Sequence, residues 1–149
     1  MLVHQNTFTI NTDPQKLDIP LIHKFLSEES YWAKNVPYEI VARAINNSLC
    51  FGLYQQDTQI GFARVITDRA SFAYLADVFI IPRFRGQGLS KWLVQNILAH
   101  PELQGLRRWM LATSDAHGLY SQFGFSAIQN PEPFMHIHNP DIYQTLNKQ

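Results

Sequence analysis

Between Val78 and Leu93 the chain passes from the run Val78-Phe-Ile-Ile through Pro82 and the segment Arg83-Phe-Arg-Gly-Gln-Gly into a stretch carrying Leu89, Trp92 and Leu93. The β-branched and aromatic run reads as a buried strand, and a proline and two glycines ahead of helical spacing read as a tight turn and a helix start. Gly86 and Gly88 can take backbone angles closed to other residues, so the amides of residues 85–90 can converge on one point. Amides without partners in the first turn of a helix, with the positive end of its dipole behind them, bind phosphate. Arg83, Arg85 and Lys91 add positive charge nearby. Gly-x-Gly alone is better explained by a glycine-rich surface turn. The stretch is not a phosphate loop of the nucleotide triphosphatases, because no Gly-Lys-Ser/Thr follows, and it lacks the third glycine of a dinucleotide fingerprint.

A second block, Trp109-Met-Leu-Ala-Thr-Ser-Asp-Ala-His-Gly-Leu-Tyr-Ser-Gln-Phe-Gly-Phe, closes at Phe125. Together with Arg83-x-x-Gly86-x-Gly88 it resembles the Gcn5-related N-acetyltransferases (GNAT), which show a strand followed by Asn-x-x-Ala-x-x-Leu-Tyr-x-x-x-Gly-Phe. Ala116, Leu119, Tyr120, Gly124 and Phe125 match, while Thr113 stands where the asparagine is common. The resemblance covers roughly residues 71 to 128. It implies acetyl-CoA as cosubstrate, with its pyrophosphate on the 85–90 amides and its pantetheine arm beside residues 77–81, pairing with strand backbone as an added strand would. The cofactor-binding residues it implies are Val78, Phe79, Ile80, Arg83, Arg85, Gly86, Gln87, Gly88, Leu89, Ser90 and Thr113.

Acetyl transfer to an amine needs a neutral nucleophile, a holder for the oxyanion at the thioester carbonyl, and a proton for the departing thiolate. Tyr120 matches the tyrosine that many family members use as general acid; seen alone it would read as a core aromatic. The oxyanion falls to a strand amide at or near Val78. Tyr74-Leu-Ala-Asp-Val-Phe resembles the strand of the polyamine acetyltransferases in which Leu-Glu-Asp is common, but Ala76 replaces the glutamate and only Asp77 matches. Asp77 stands beside Tyr120 as a catalytic candidate, although the missing glutamate weakens direct base catalysis; it can instead attract a cationic amine or make a structural hydrogen bond, and a water chain can take the amine's proton. Glu28, Tyr31 and Trp32 form an acidic and aromatic loop suited to a cationic acceptor, although the rings would equally serve as core plugs. His117, beside Ala116 in the second motif, could relay protons but reads better as a helix-surface histidine. His136 and His138 alternate with Met135 and Ile137 as on a strand, and no third ligand suggests a metal.

The elements that must hold these residues fit in one domain, residues 1–149. Hydrophobic residues make up 46% and charged residues 16%, below the ~25% of an average globular chain, which argues against disorder. Lys plus Arg equals Asp plus Glu at twelve each, so no excess charge points to nucleic acid or an anionic membrane. Without a signal-like start or a run of the ~20 apolar residues that span a bilayer, a cytoplasmic protein is expected. The lone Cys50 lies in an apolar strand and reads as core.

Phe8 to Asn11 reads as a strand. A helix capped by Asp18 carries Leu21, Ile22, Phe25 and Leu26, and after a polar loop a second helix begins at Val36-Pro37. The family places two such helices over the acceptor site. Strands follow over 49–55, 59–66 and 71–81, then the helix after Gly88, a strand over 107–113, a helix capped by Asp115 and a last strand after Phe125. This is an α+β pattern with a mixed, mostly antiparallel twisted sheet flanked by helices, in agreement with the acyl-CoA N-acyltransferase fold. The function so implied is transfer of acetyl to a primary amine of a small molecule by direct attack in a ternary complex. The alternative is a non-catalytic acyl-CoA-binding regulatory module. Dimers are frequent in the family, and Phe134 and Tyr143 offer contact area for a homodimer.

Overall fold

The computed structural model describes residues 1–148. Six strands form one sheet in chain order: β1 Leu2–Gln5, β2 Phe8–Asn11, β3 Leu49–Gln55, β4 Thr58–Thr67, β5 Phe72–Ile80 and β6 Arg108–Met110. All neighbours are antiparallel except β5 and β6, which run parallel. The helices are α1 Ile19–Lys24, prolonged by a wider π turn over Phe25–Glu29, then α2 Tyr38–Asn46, α3 Leu89–Leu98, α4 His117–Ser121 and α5 Ile142–Asn147. No helix among the described residues is long and apolar enough to cross a membrane.

Helices cover both faces of the sheet. Trp92, Leu93, Val94 and Ile97 of α3 pack on Phe51, Leu53, Val65 and Leu75, while Ile22, Phe25, Val41 and Ile45 from α1, the π turn and α2 pack on Cys50, Phe62 and Phe79. A strand buried on both faces needs no polar alternation, which is why Leu49-Cys-Phe-Gly-Leu-Tyr is apolar throughout. Asp18 caps α1 as expected, its carboxylate accepting the Leu21 amide at 3.1 Å, and Pro20 sits in the first turn.

Two irregularities in β5 shape the molecule. Arg64 pairs with Ala76 but Phe62 pairs with Phe79, so Asp77 and Val78 together stand opposite Ala63, and Asp77 takes a left-handed φ of 55°. This is a bulge, and it reverses side-chain parity: Ala73 and Leu75 face the α3 layer before it, Phe79 the α1/α2 layer after it. The second irregularity is that β5 and β6 pair only from Phe72↔Arg108 to Tyr74↔Met110. Beyond Tyr74 the strands part, and the β5 edge has no strand beside it among the described residues.

Several expectations are corrected. The strand over 107–113 is limited to Arg108–Met110, because its partner diverges. No strand follows Phe125 among the described residues; Met135 and Ile137 are fully exposed, and His136 and His138 lie on no strand. Tyr143 is half-buried against the α1/α2 core, and Phe134 is exposed under the Arg108 guanidinium at 4.7 Å. Asp115 does not cap α4. The Thr113 hydroxyl accepts the Ala116 amide there, at 3.0 Å.

Candidate active site

Where β5 and β6 part, the chain leaves a cleft of about 500 Å³. Its walls include Tyr74 to Val78 of β5, Leu111 to Ala116 after β6, Tyr120 of α4, and Tyr31 and Trp32 from the loop after the π turn. Tyr120 is packed into the core at 8% exposure, with its ring edge-on to Phe125. Its hydroxyl makes no hydrogen bond among the described residues and is not one of the sealed atoms, since only the Tyr54 hydroxyl is buried without a partner. Burial, with smaller contributions from Tyr31 and Asp115, pushes the Tyr120 pKa up to about 12, so this phenol keeps its proton through the neutral range.

On the acceptor side Tyr31 and Trp32 meet edge to face at 5.0 Å. The Tyr31 hydroxyl accepts the Ser114 amide at 3.0 Å, and the Trp32 indole donates to Asp77 Oδ1 at 2.8 Å. Asp77 Oδ2 accepts from Arg64 Nε at 2.8 Å, and Arg64 also donates to the Ser48 hydroxyl at 3.2 Å. Of the two readings open for Asp77, the structural hydrogen bond is thus present at both oxygens. Arg64 was not among the residues singled out in the sequence. Its signal was a single charge inside the apolar strand Ile60-Gly-Phe-Ala-Arg-Val-Ile, where burial demands a partner. Glu28 is not brought to the cleft: the π turn leaves its carboxylate exposed, and only its carbonyl is engaged, by Lys34 Nζ at 2.9 Å. His117 is exposed at the start of α4.

At the glycine corner, Gly86 and Gly88 have φ of 84° and 82°, angles that a side chain at either position would resist. The first bond of α3 runs from the Trp92 amide to the Gly88 carbonyl, and the amides of residues 86–91 have no protein acceptor among the described residues. The expected run of 85–90 is therefore shifted by one: the Arg85 amide donates to Pro82 at 3.1 Å, and its guanidinium Nε turns back to the Ile80 carbonyl at 2.9 Å. Gln87 folds onto the Phe84 carbonyl, and Arg83 lies over the Phe84 ring. Apart from the glycines' own chain neighbours, no atom comes within 4 Å of the place where a Cβ on Gly86 or Gly88 would stand, so the corner is open on that side. Phe79 and Ile80 bury their side chains in opposite core layers and can meet a ligand only through backbone. An open amide cradle joined by one strand to an unpaired edge fits a diphosphate carrying a peptide-like arm.

The model of the acetyltransferase (GNAT) family matches residues 19–125. The chain belongs to this family. A Gibberella zeae protein named as an acetyltransferase is 33% identical over 137 residues, covering 77% of this acetyltransferase and 76% of that protein. A solved structure from Xanthomonas campestris pv. campestris, described as a GNAT acetyltransferase, is similar at a TM-score of 0.90 with 50% identity, over 94% of this chain and 99% of that one. A GNAT acetyltransferase from Elizabethkingia anophelis, solved with acetyl-CoA bound, shares the fold at a TM-score of 0.63 with 14% identity, over 84% of this chain and 80% of that one. This chain is accordingly an N-acetyltransferase of a family that uses acetyl-CoA as cosubstrate.

Proposed function

We propose that this acetyltransferase modifies the primary amine of a small molecule by direct attack in a ternary complex. The observation that carries the reading is that one cleft gathers the unpaired β5 edge, the Tyr120 hydroxyl and the aromatic pair Tyr31 and Trp32. Bound acetyl-CoA supplies the activated acetyl group as a thioester. The amides of residues 86–91 hold its pyrophosphate, with Arg83, Arg85 and Gln87 flanking them, and the backbone of Val78 to Ile80 orients its arm. Thr113 serves indirectly, by fixing the start of α4 below Tyr120.

Tyr120 holds a proton at Oη and donates it where the thiolate departs. A backbone amide near Val78, released from regular pairing by the bulge, is the donor for the oxyanion. Tyr31 and Trp32 offer ring faces to the ammonium form of the acceptor, and water at the cleft mouth takes its proton. Direct attack is supported by Cys50: its thiol is sealed among Phe62 and Phe79, and burial pushes its pKa up to about 12, so it offers no thiolate for a covalent acyl-enzyme.

The test is thiol release from acetyl-CoA over a panel of benzylamine, tryptamine, putrescine, glucosamine and a lysine-containing peptide. Turnover with a small amine is expected. Turnover confined to the peptide, or to none of the panel, overturns the proposal.

A further inference from the structure

Asp77 occupies a left-handed conformation at the centre of the cleft wall, and each of its oxygens is held by a different segment. Oδ1 accepts the Trp32 indole at 2.8 Å, and Oδ2 accepts Arg64 Nε at 2.8 Å. Arg64 is tied in turn to Ser48 at the end of α2, whose hydroxyl bonds back to the Ala44 carbonyl. A single chain of polar contacts therefore runs from α2 through β4 and the β5 bulge to the acceptor loop. Both ends of the ion pair are largely withdrawn from solvent, with side-chain exposures of 17% and 13%, so neither charge can lose its partner cheaply. Behind it lies a second cavity of about 100 Å³, lined by Ile40, Val41, Ala44 and Phe62, which also touches Trp32, Arg64 and Asp77. Trp32 and Asp77 line both this space and the cleft, so the polar chain stands between the two.

We infer that Arg64 is a positioning residue for acetyl transfer. By pairing with Asp77 it holds the bulge that interrupts β5 and, through Asp77, fixes Trp32 on the acceptor side; Asp77 acts as this tether and not as the base that takes the amine's proton. For Asp77 to serve as a base, it would have to bind a proton at an oxygen already facing a guanidinium or an indole N–H, leaving Arg64 without its counter-charge in a half-sealed site. The inference rests on the reading of the cleft as the acetyl-transfer site and names how its acceptor wall is held.

The test uses exchange of the pair. Asp77→Asn keeps the side-chain shape and tolerates the left-handed backbone, but removes the charge opposite Arg64 and sets an amide NH₂ against one of two donors, the guanidinium or the Trp32 indole; Arg64→Gln leaves the carboxylate without its counter-charge. Arg64→Gln/Asp77→Asn restores a neutral donor and acceptor. Thiol release is measured with whichever panel amine turns over fastest, separating kcat and KM for that amine, and the thermal shift induced by acetyl-CoA is read in parallel. Each single variant is expected to lose about tenfold or more in kcat/KM for the amine, because a half-buried charge is left unpaired. The double variant is expected to recover to within about threefold of the wild type, the signature of two groups that act through each other. All variants should keep the acetyl-CoA shift.

A double variant that folds and is as inactive as Asp77→Asn overturns the inference, since Asp77 then acts chemically. Wild-type turnover by Arg64→Gln overturns it as well. If a single variant does not fold, recovery of turnover in the folded double variant still supports the tether, and its absence still overturns it. Wild-type protein with no acetyl-CoA shift and no turnover overturns both this inference and the reading beneath it.

Discussion

The Tyr31 hydroxyl accepts the Ser114 amide at 3.0 Å and so closes the cleft from above, joining the loop after the π turn to the segment after β6 across 83 residues of sequence. Hydrogen bonding from Ser114, by its side chain first and its amide second, lowers the Tyr31 pKa, because a donor aimed at the phenol oxygen favours its ionised form. Tyr31→Phe removes the bond and leaves the ring. Because the site is exposed, the stability cost should stay near or below about 1 kcal/mol. The loop's freedom should instead appear as a several-fold rise in KM for the amine, by roughly the same free energy, with kcat little changed. Steady-state kinetics at saturating acetyl-CoA checks this; an unchanged KM would separate the loop from the acceptor.

Gly86→Val and Gly88→Val place a β-branched side chain at φ of 84° and 82° and fill the space that no protein atom beyond the glycines' own chain neighbours enters within 4 Å. The backbone strain is of the order of 1–2 kcal/mol for each. Coenzyme affinity should fall further than that strain implies, by well over about tenfold, because the new methyls stand where phosphate must approach the amides. Gly88→Asn, whose residue tolerates the left-handed region, should fold more readily than Gly88→Val yet still bind weakly. Titration calorimetry with acetyl-CoA measures both, and affinity retained in the two valine variants would remove the cradle from these amides.

What could be read in advance was local. The glycine corner, the Asp18 cap, the meander and the Tyr120 helix follow from residue types within a few positions of one another. What escaped depends on partners distant in the chain. β6 stops at Met110 because β5 diverges from it, and nothing in Leu111 to Thr113 announces that. The alternation at Met135 to His138 is the same whether or not a strand lies beside it, and here none does among the described residues. The Asp77 bulge shows only in the register against β4, and the importance of Arg64 only in its ion pair. Glu28 and Trp32 looked equivalent as members of one loop; the π turn sends the first to solvent and the second to the cleft.

Tyr120→Phe should lower kcat by about a hundredfold or more, the usual worth of a positioned general acid, while acetyl-CoA affinity stays within about twofold. With its pKa pushed up to about 12 by burial, the wild-type tyrosine sets no limb of the kcat profile between pH 6 and about 10. A variant at full speed would discard the role, and an alkaline limb near pH 9 that disappears in Tyr120→Phe would contradict the environment found for it.

Gly52 carries the Tyr54 ring directly above it, with Cε2 at 2.6 Å from the place a Cβ would take. Gly52→Ala must push a buried ring whose hydroxyl already lacks a partner, costing about 1–3 kcal/mol of stability. The site lies in the β3 interior, away from the cleft lining, so the folded fraction should retain wild-type kcat. Urea denaturation reads the first effect and active-site-normalised turnover the second.

Alkaline pH should unfold this protein earlier than its neutral composition suggests. Burial pushes Cys50 from 9.0 to about 12, and pushes Tyr54 and Tyr120 from 10.0 to about 12. Near Cys50 the Arg64 charge opposes the effect and the Asp77 charge adds to it; near Tyr54 the charges of Asp13 and Asp18 add to it. For each group the folded chain keeps a proton that the unfolded chain gives up, so the unfolded state binds fewer protons in this window and stability falls as pH rises. Their contribution is whole below about pH 9, declines first as unfolded Cys50 ionises, declines faster above pH 10 as the tyrosines join, and is gone beyond about pH 12. Cys50→Ala should move the onset of the decline upward by about one pH unit, toward the tyrosine value. Urea midpoints taken between pH 7 and 11 test this, and a midpoint that stays level to pH 11 would mean that these three side chains reach water in the folded state.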